Sequence, residues 1–467
     1  MQQLGLFRRV GRVVGTGAAL AVFALALAGT ASASASINVA CGDSTGLINA
    51  INTANTSGGG SVNLAPGCTY PLTSAFSGED GLPAVMTPIT VNGNGSTIAG
   101  NDTDFRVFEV DGPGGKLTLQ SVTITGGNVP DFGGGILDDG ARLTLNRSVV
   151  TGNTAGMDTP MGGGIGGGIA SGTFFSGLAA TLTLNSSQVN GNIVLGPGAG
   201  GGIATGNYAL FFGTQPGPAS SLTANKSQVD DNMAPGSGGG GIQNLAGNVT
   251  INSSEVNDNT AANGAGISSG NGMGGAPPGT STLVVNKSEV DGNTAIAPAP
   301  TMMGGGPPFG AGGIANGNSA TINNSQIEDN TATHIIGGGI VNHGAMTINK
   351  SVVKNNHAPG QGKFGSAGGI VNINTGDPNS GVLTINNSQV NLNTASFAGG
   401  GILNGFPGMS MPAALLTMNH SQVNGNSAAM GGGIFNGNGA VTLNSTAITL
   451  NTPDNCEPPG GVAGCTG

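Results

Sequence analysis

An eleven-residue unit, Leu-Thr-Leu/Ile-Asn-x-Ser-x-Val-x-x-Asn, recurs with small changes along most of this chain. Its copies lie at 143–153, 182–192, 222–232, 249–259, 283–293, 320–330, 346–356, 383–393, 416–426 and 441–451. Between copies stands a Gly-Gly-Ile element, which ends at Ile136, Ile169, Ile203, Ile242, Ile267, Ile314, Ile340, Ile370, Ile402 and Ile434. Repetition on this scale marks a solenoid, in which each unit buries its apolar face only against its neighbours. A single solenoid can use all 467 residues, because its core grows by stacking.

Each unit reads as short strands joined by bends. In Leu-Thr-Leu the first and third residues face one side and Thr the other. The Asn at the fourth place and the variable fifth residue make a bend. Ser-x-Val is a second strand with Val inward. The segment through the last Asn and Thr-Ala is a second bend, and Gly-Gly-Ile-x-Asn is a third strand. Stacking in parallel at ~4.8 Å places each Asn above its predecessor, where one amide donates to the next. The last-Asn column is Asn153, Asn192, Asn232, Asn259, Asn293, Asn330, Asn356, Asn393, Asn426 and Asn451. The 91 glycines sit at fixed places beside Ile, so they mark tight turns and close backbone approach, not disorder.

The two ends differ from the array. Residues 1–35 have the form of a secretory signal. Arg8, Arg9 and Arg12 precede an apolar stretch from Val13 to Ala28 and small-residue cleavage sites such as Ala33-Ser-Ala35. Its removal takes three of the 12 basic residues and none of the 22 acids, changing 12 − 22 = −10 to 9 − 22 = −13. So acidic a chain is a poor partner for nucleic acid. No later stretch is long enough to span a membrane, and a monomer is expected. Residues 36–90 form an N-terminal cap, with a helix over 44–55, that covers the first open edge of the solenoid. Residues 91–451 are the repeat array and 452–467 a short tail. The four cysteines allow three pairings, of which the local one, Cys41 with Cys68 and Cys456 with Cys465, is simplest.

The paired Gly-Gly-x-Ile and x-x-x-Asn motifs resemble the repeats of polymorphic outer membrane proteins, among the right-handed parallel β-helix proteins. The start around Cys41–Cys68 and the end around Asp454–Cys465 resemble those of secreted actinobacterial members. The resemblance implies an all-β, right-handed parallel β-helix, a pectin-lyase-like solenoid of about eleven to twelve coils with a short N-terminal helix cap. The handedness comes from the resemblance and from the general rule for parallel crossovers. The family's motifs are mostly Gly-Gly-Gly-Ile and Val-x-x-Asn here. The Cys-closed tail stands where the family has a β-barrel, so anchorage by that route is not expected.

Two functions compete. The leading expectation is a secreted or cell-surface structural, adhesin-like protein without catalysis, which binds a glycan or a surface protein through its loops. The aromatic residues of two inserts, Phe174, Phe175, Tyr208, Phe211 and Phe212, are its candidate binding face. The alternative is a polysaccharide lyase or glycoside hydrolase that uses an acidic patch on the middle coils: Asp231, Asp258, Asp329, Glu255 and Glu289. Lys226 and Lys287 lie near it. Stacked carboxylates could also take Ca²⁺, but no cofactor and no metal ligand set is expected. The free interchange of Asp, Asn and Gly in that patch suits a solvated surface. The motifs of serine hydrolases, zinc proteases and P-loop enzymes are missing from the chain.

Overall fold

The computed structural model describes residues 35–467 except 102–103, 158–162, 209–216, 271–280, 297–309, 334, 361–365, 378, 407–410, 459 and 466–467. The signal-like segment therefore lies outside the described residues. The rest is a right-handed parallel β-helix. The Leu-Thr-Leu strands pair in parallel and in register, coil after coil, from Leu143↔Leu182↔Leu222 through Leu383↔Leu416↔Val441. Their burial alternates as the pleat requires: Leu182 and Leu184 are sealed inside while Thr181, Thr183 and Asn185 are half-exposed. The ten Gly-Gly-Ile strands, with Phe108–Asp111 and Cys456–Glu457 at the two ends, form a separate face of twelve strands, and every Ile from Ile136 to Ile434 in that column is fully buried.

Each coil holds one more strand than the repeat suggests. The Thr-Ala pair after the last Asn does not belong to a bend. Thr154-Ala155, Thr294-Ala295 and their equivalents are two-residue strands that stack into a nine-stranded sheet of their own. The last Asn turns the chain by itself because it is held from several sides. Asn293 Nδ2 donates to Asn330 Oδ1 at 2.9 Å and to the Val256 carbonyl at 2.9 Å. Its own Oδ1 accepts from the backbone N–H and side-chain amide of Asn259. The column runs unbroken from Asn153 to Asn451, with amide contacts of 2.9–3.0 Å.

The fourth-position Asn column runs the other way. Asn185 donates back to Asn146 and Asn444 back to Asn419, whereas Asn153 donates forward to Asn192. The two amide columns therefore oppose their dipoles. The Ser at the sixth place has an equally fixed duty. Ser187 Oγ donates to the Asn185 carbonyl and accepts the Ser148 backbone N–H. The paired glycines before Ile exist because the buried Asn lies against them: a Cβ on Gly168 would stand 2.9 Å from the Asn192 amide.

The first coils are closed by the helix Ser44–Thr56, which buries Leu47, Ala50, Ile51 and Ala54. Asp43 caps it by accepting the Gly46 N–H at 2.7 Å. Disulfides join Cys41 to Cys68 and Cys456 to Cys465. No helix among the described residues is long and apolar enough to cross a membrane. Because a mid-column Asn satisfies four buried polar groups, Asn293→Ala should cost about 3 kcal/mol or more. The cost is measurable as a lower urea midpoint, and a loss below about 0.5 kcal/mol would show that the column is dispensable.

Candidate functional site

Two left-handed bends shape the outer corner of every coil. All ten fifth-position residues, from Arg147 and Ser186 to His420 and Ser445, have φ of 47–50°. All ten tenth-position residues are left-handed too, with φ of 51–64°. Gly, Asn and Asp tolerate that conformation best. Asp231, Asp258 and Asp329 are tenth-position residues and share that column with Gly152, Gly191, Gly292 and Gly425. Their residue type is explained by the bend. The same rule makes Leu392 and Leu450 misfits, with φ of 56° and 59° and side chains largely in solvent.

Glu255 and Glu289 have no such explanation. They occupy the seventh position, on extended backbone, and stand in register on adjacent coils. In-register neighbours are ~4.8 Å apart. Two glutamines lead up to the pair: Gln188 Nε2 donates to Gln228 Oε1 at 2.7 Å, and Gln228 Nε2 donates to Glu255 Oε2 at 2.8 Å. Gln326 follows Glu289 on the next coil. The pair borders a shallow depression of about 230 Å³ lined by Ser253, Ser254, Glu255, Lys287, Ser288, Glu289, Asn324 and Gln326.

Burial, then the charges of Glu255 and Glu328, raise the Glu289 carboxyl above the ordinary range. The neighbouring ninth-position column is also acidic. Burial pushes Asp230 up to about 6, against the Asn257 N–H that it accepts. Asp291 and Glu328 are raised as well, first by partial burial. Lys354, 3.9 Å from Glu328, opposes the shift there. Among the described residues, no group of three or more His, Cys, Asp or Glu side chains is arranged to hold a metal ion. The glutamine approach to Glu255 was readable in the sequence, since Gln188, Gln228, Gln326, Gln389 and Gln422 share its column.

A second charged cluster lies in the early coils, where the repeat is weak and sequence reasoning found nothing. Arg106 is buried, with Asp80 at 2.7 Å, Asp131 at 2.8 Å and Glu79 at 3.4 Å. Its Nε donates to the Phe132 carbonyl. The guanidinium thus ties three successive turns together. Glu109 beside it is pushed up to about 9 by burial and by a hydrogen bond with Asp80. Asp138, sealed in the Gly-Gly-Ile-x-Asn face, is pushed up to about 7 by burial. It accepts from Ser171 Oγ at 2.7 Å and from the Ala141 N–H.

Two residues of the expected aromatic binding face are turned inward. Phe174 and Tyr208 are buried and stacked on one another, with centroids 5.2 Å apart and planes 2° from parallel. Phe132 continues the stack below, 5.2 Å from Phe174. The loops fold back because the coil surface offers Leu137, Ala170, Ala204 and Leu245 for these rings to cover. Phe175 is exposed but leans on Phe132. Phe211 and Phe212 lie outside the described residues.

No protein-family model matches the chain, and no curated protein matches it in sequence. Solved structures do. The periplasmic alginate epimerase AlgG is similar at 8% identity and a TM-score of 0.41, over 84% of this chain and 77% of that one. A mannuronic acid-specific polysaccharide family 6 lyase from human gut microbiota matches at 13% identity and 0.40, over 85% and 82%. The A-module of the Azotobacter vinelandii mannuronan C-5 epimerase AlgE6 matches at 12% identity and 0.27, over 89% and 96%. The likeness is one of fold. Within that fold the three similar proteins are a polysaccharide lyase and two epimerases. The expectation of a non-catalytic, adhesin-like protein is corrected on this point: these three neighbours are polysaccharide-acting enzymes, while the likeness itself is one of fold.

Two stability effects follow from these positions. Leu392→Gly removes a left-handed leucine and should stabilise by up to about 1 kcal/mol; a lower unfolding midpoint would contradict the bend assignment. Asp138 has a folded value of about 7 against 3.8 for the free side chain, so the folded state holds its proton more tightly. Its contribution is full below pH ~4 and is lost as pH rises through about 7. Asp138→Asn should flatten that fall and gain about 1 kcal/mol or more at pH 8, read from unfolding curves across pH.

Proposed function

We propose that the protein is exported and cleaves polysaccharide at the Glu255–Glu289 pair. The observation that carries this reading is the asymmetry of two stacked carboxyls beside one cation. Gln228 holds Glu255 as a hydrogen-bond acceptor, burial and neighbouring charge raise Glu289, and Lys287 lines the same depression. Two titrating groups whose surroundings differ in this way divide the labour of base and acid.

On a uronate-containing chain, the Lys287 ammonium faces the sugar carboxylate and stabilises the charge that develops there. Glu255 takes the proton next to that carboxylate, the glycosidic oxygen leaves, and the Glu289 carboxyl protonates it. The products are a new reducing end and an unsaturated sugar, and the next proton exchange with water resets the pair. The ~4.8 Å column spacing also lies near the ~5 Å carboxyl separation of retaining glycoside hydrolases. The same pair would then give saturated products.

Export is supported by the basic and apolar start of the chain and by the two disulfides. The repeats themselves resemble those of polymorphic outer membrane proteins, here put to holding a site in place. Purified protein should release reducing ends from pectate, alginate or a neutral glucan, with ultraviolet absorbance separating unsaturated from saturated products. Glu255→Gln and Glu289→Gln should each lower the rate about a hundredfold or more. Asp258→Gly, which keeps the bend, should leave the rate unchanged. Absence of product from the whole panel, or wild-type rates in both glutamine variants, would sink the reading.

A further inference from the structure

Columns of stacked residues make like charges meet, and this chain avoids that meeting for its cations. In the fifth-position column Lys226, Lys287 and Lys350 are separated by Ser253 and Asn324, so one coil lies between successive ammonium groups. Among the described residues one place departs from this spacing. Lys116 and Arg142 stand in register on adjacent coils, both exposed, at the start of the Leu-Thr-Leu strands. Neither side chain makes an ion pair among the described residues. Like charges directly opposite repel, and the chain carries 22 acids that could have been placed beside them.

The two cations line a hollow of about 420 Å³. Its walls are small or apolar: Pro88, Pro113, Ala141, Leu178 and Ala179, with Gly114, Gly115 and Gly140 between them. The glycines are required by close approach. A Cβ on Gly115 would lie 2.4 Å from the Asp111 carbonyl, and one on Gly140 would lie 2.6 Å from Leu178 Cβ. Thr181 follows Arg142 in the column and adds a hydroxyl at the far side. The hollow thus combines paired cations, an apolar wall and a hydroxyl at a spacing of ~4.8 Å per coil. That spacing is close to the length of one sugar unit in an extended chain.

We infer that this hollow is a subsite for the carboxylate of an acidic sugar, a uronate in an extended polysaccharide. A carboxylate seated between Lys116 and Arg142 relieves their repulsion, and the Arg142 guanidinium matches its two oxygens. Three coil steps separate the Leu143 strand from the Val249 strand of the Glu255 coil. The distance along the axis is then about 14 Å, which a few sugar units span. The inference rests on the reading of the protein as polysaccharide-acting, and it narrows the substrate to polyuronates.

Affinity electrophoresis of the full chain through gels containing pectate tests it. Fully methyl-esterified pectin is the uncharged control, and dextran sulfate is the control for charge alone. The wild type should be retarded by pectate and not by the ester, and added salt should weaken the retardation. Lys116→Ala/Arg142→Ala should lose about fivefold or more in apparent affinity, while Lys116→Arg/Arg142→Lys retains most of it. Both sites are exposed, so folding is checked by an unchanged unfolding midpoint. Retardation by pectate without turnover would end the catalytic reading and leave this subsite standing. Equal retardation by the methyl ester, stronger retardation by dextran sulfate than by pectate, or an undiminished double alanine variant would overturn it.

Discussion

In-register parallel stacking is the constraint on which the rest of this molecule depends. Every residue type chosen for one coil meets its own kind on the next, ~4.8 Å away. For Leu, Ile and Val that meeting fills the core. For Asn it is better still, because an amide is both donor and acceptor and so completes a column without leaving a group unpaired. The unbroken run from Asn153 to Asn451 is therefore what lets a chain with so few large side chains turn corners inside its own core.

For charged residues the same constraint is a cost. The alternation of lysines with neutral residues in the fifth-position column shows the cost being avoided. It is accepted at several places, among them Glu255–Glu289 and Lys116–Arg142. Both pairs border depressions in the outer face. Repulsion at a stacked pair raises the energy of the empty site and is relieved by a proton, in the first case, or by an anion, in the second. A stacked like-charged pair is thus a place where a β-helix can store a preference for something that arrives from solution.

The fold was legible because its determinants are local and periodic. Leu182, Asn185, Ser187, Val189 and Asn192 each perform the same duty in every coil, and ten copies make that duty visible. The Thr-Ala strands were not legible. Two residues carry too little pattern to reveal a sheet whose strands come together only across coils. The candidate site was half legible. Glu255 and Glu289 stood out as acids, but so did Asp231, Asp258 and Asp329, and only the backbone angles separate an acid placed by a bend from one placed on extended backbone. Phe174 and Tyr208 misled for a related reason. An aromatic residue in an insert looks exposed until the coil surface beneath it is known.

By itself the sequence determined the repeat length, the inward and outward faces, the Asn columns and the capped start. All of these follow from pattern and from the chemistry of single side chains. Tertiary structure alone decided which residues of distant coils share an environment. It brought Arg106 to Asp80 and Asp131, sealed Asp138 beneath Ser171, and set Lys116 beside Arg142 over a hollow. The physical reason is that solvation and charge depend on every neighbour within a few ångströms. In a solenoid those neighbours lie one whole coil away along the chain, at a distance that the variable inserts change from turn to turn.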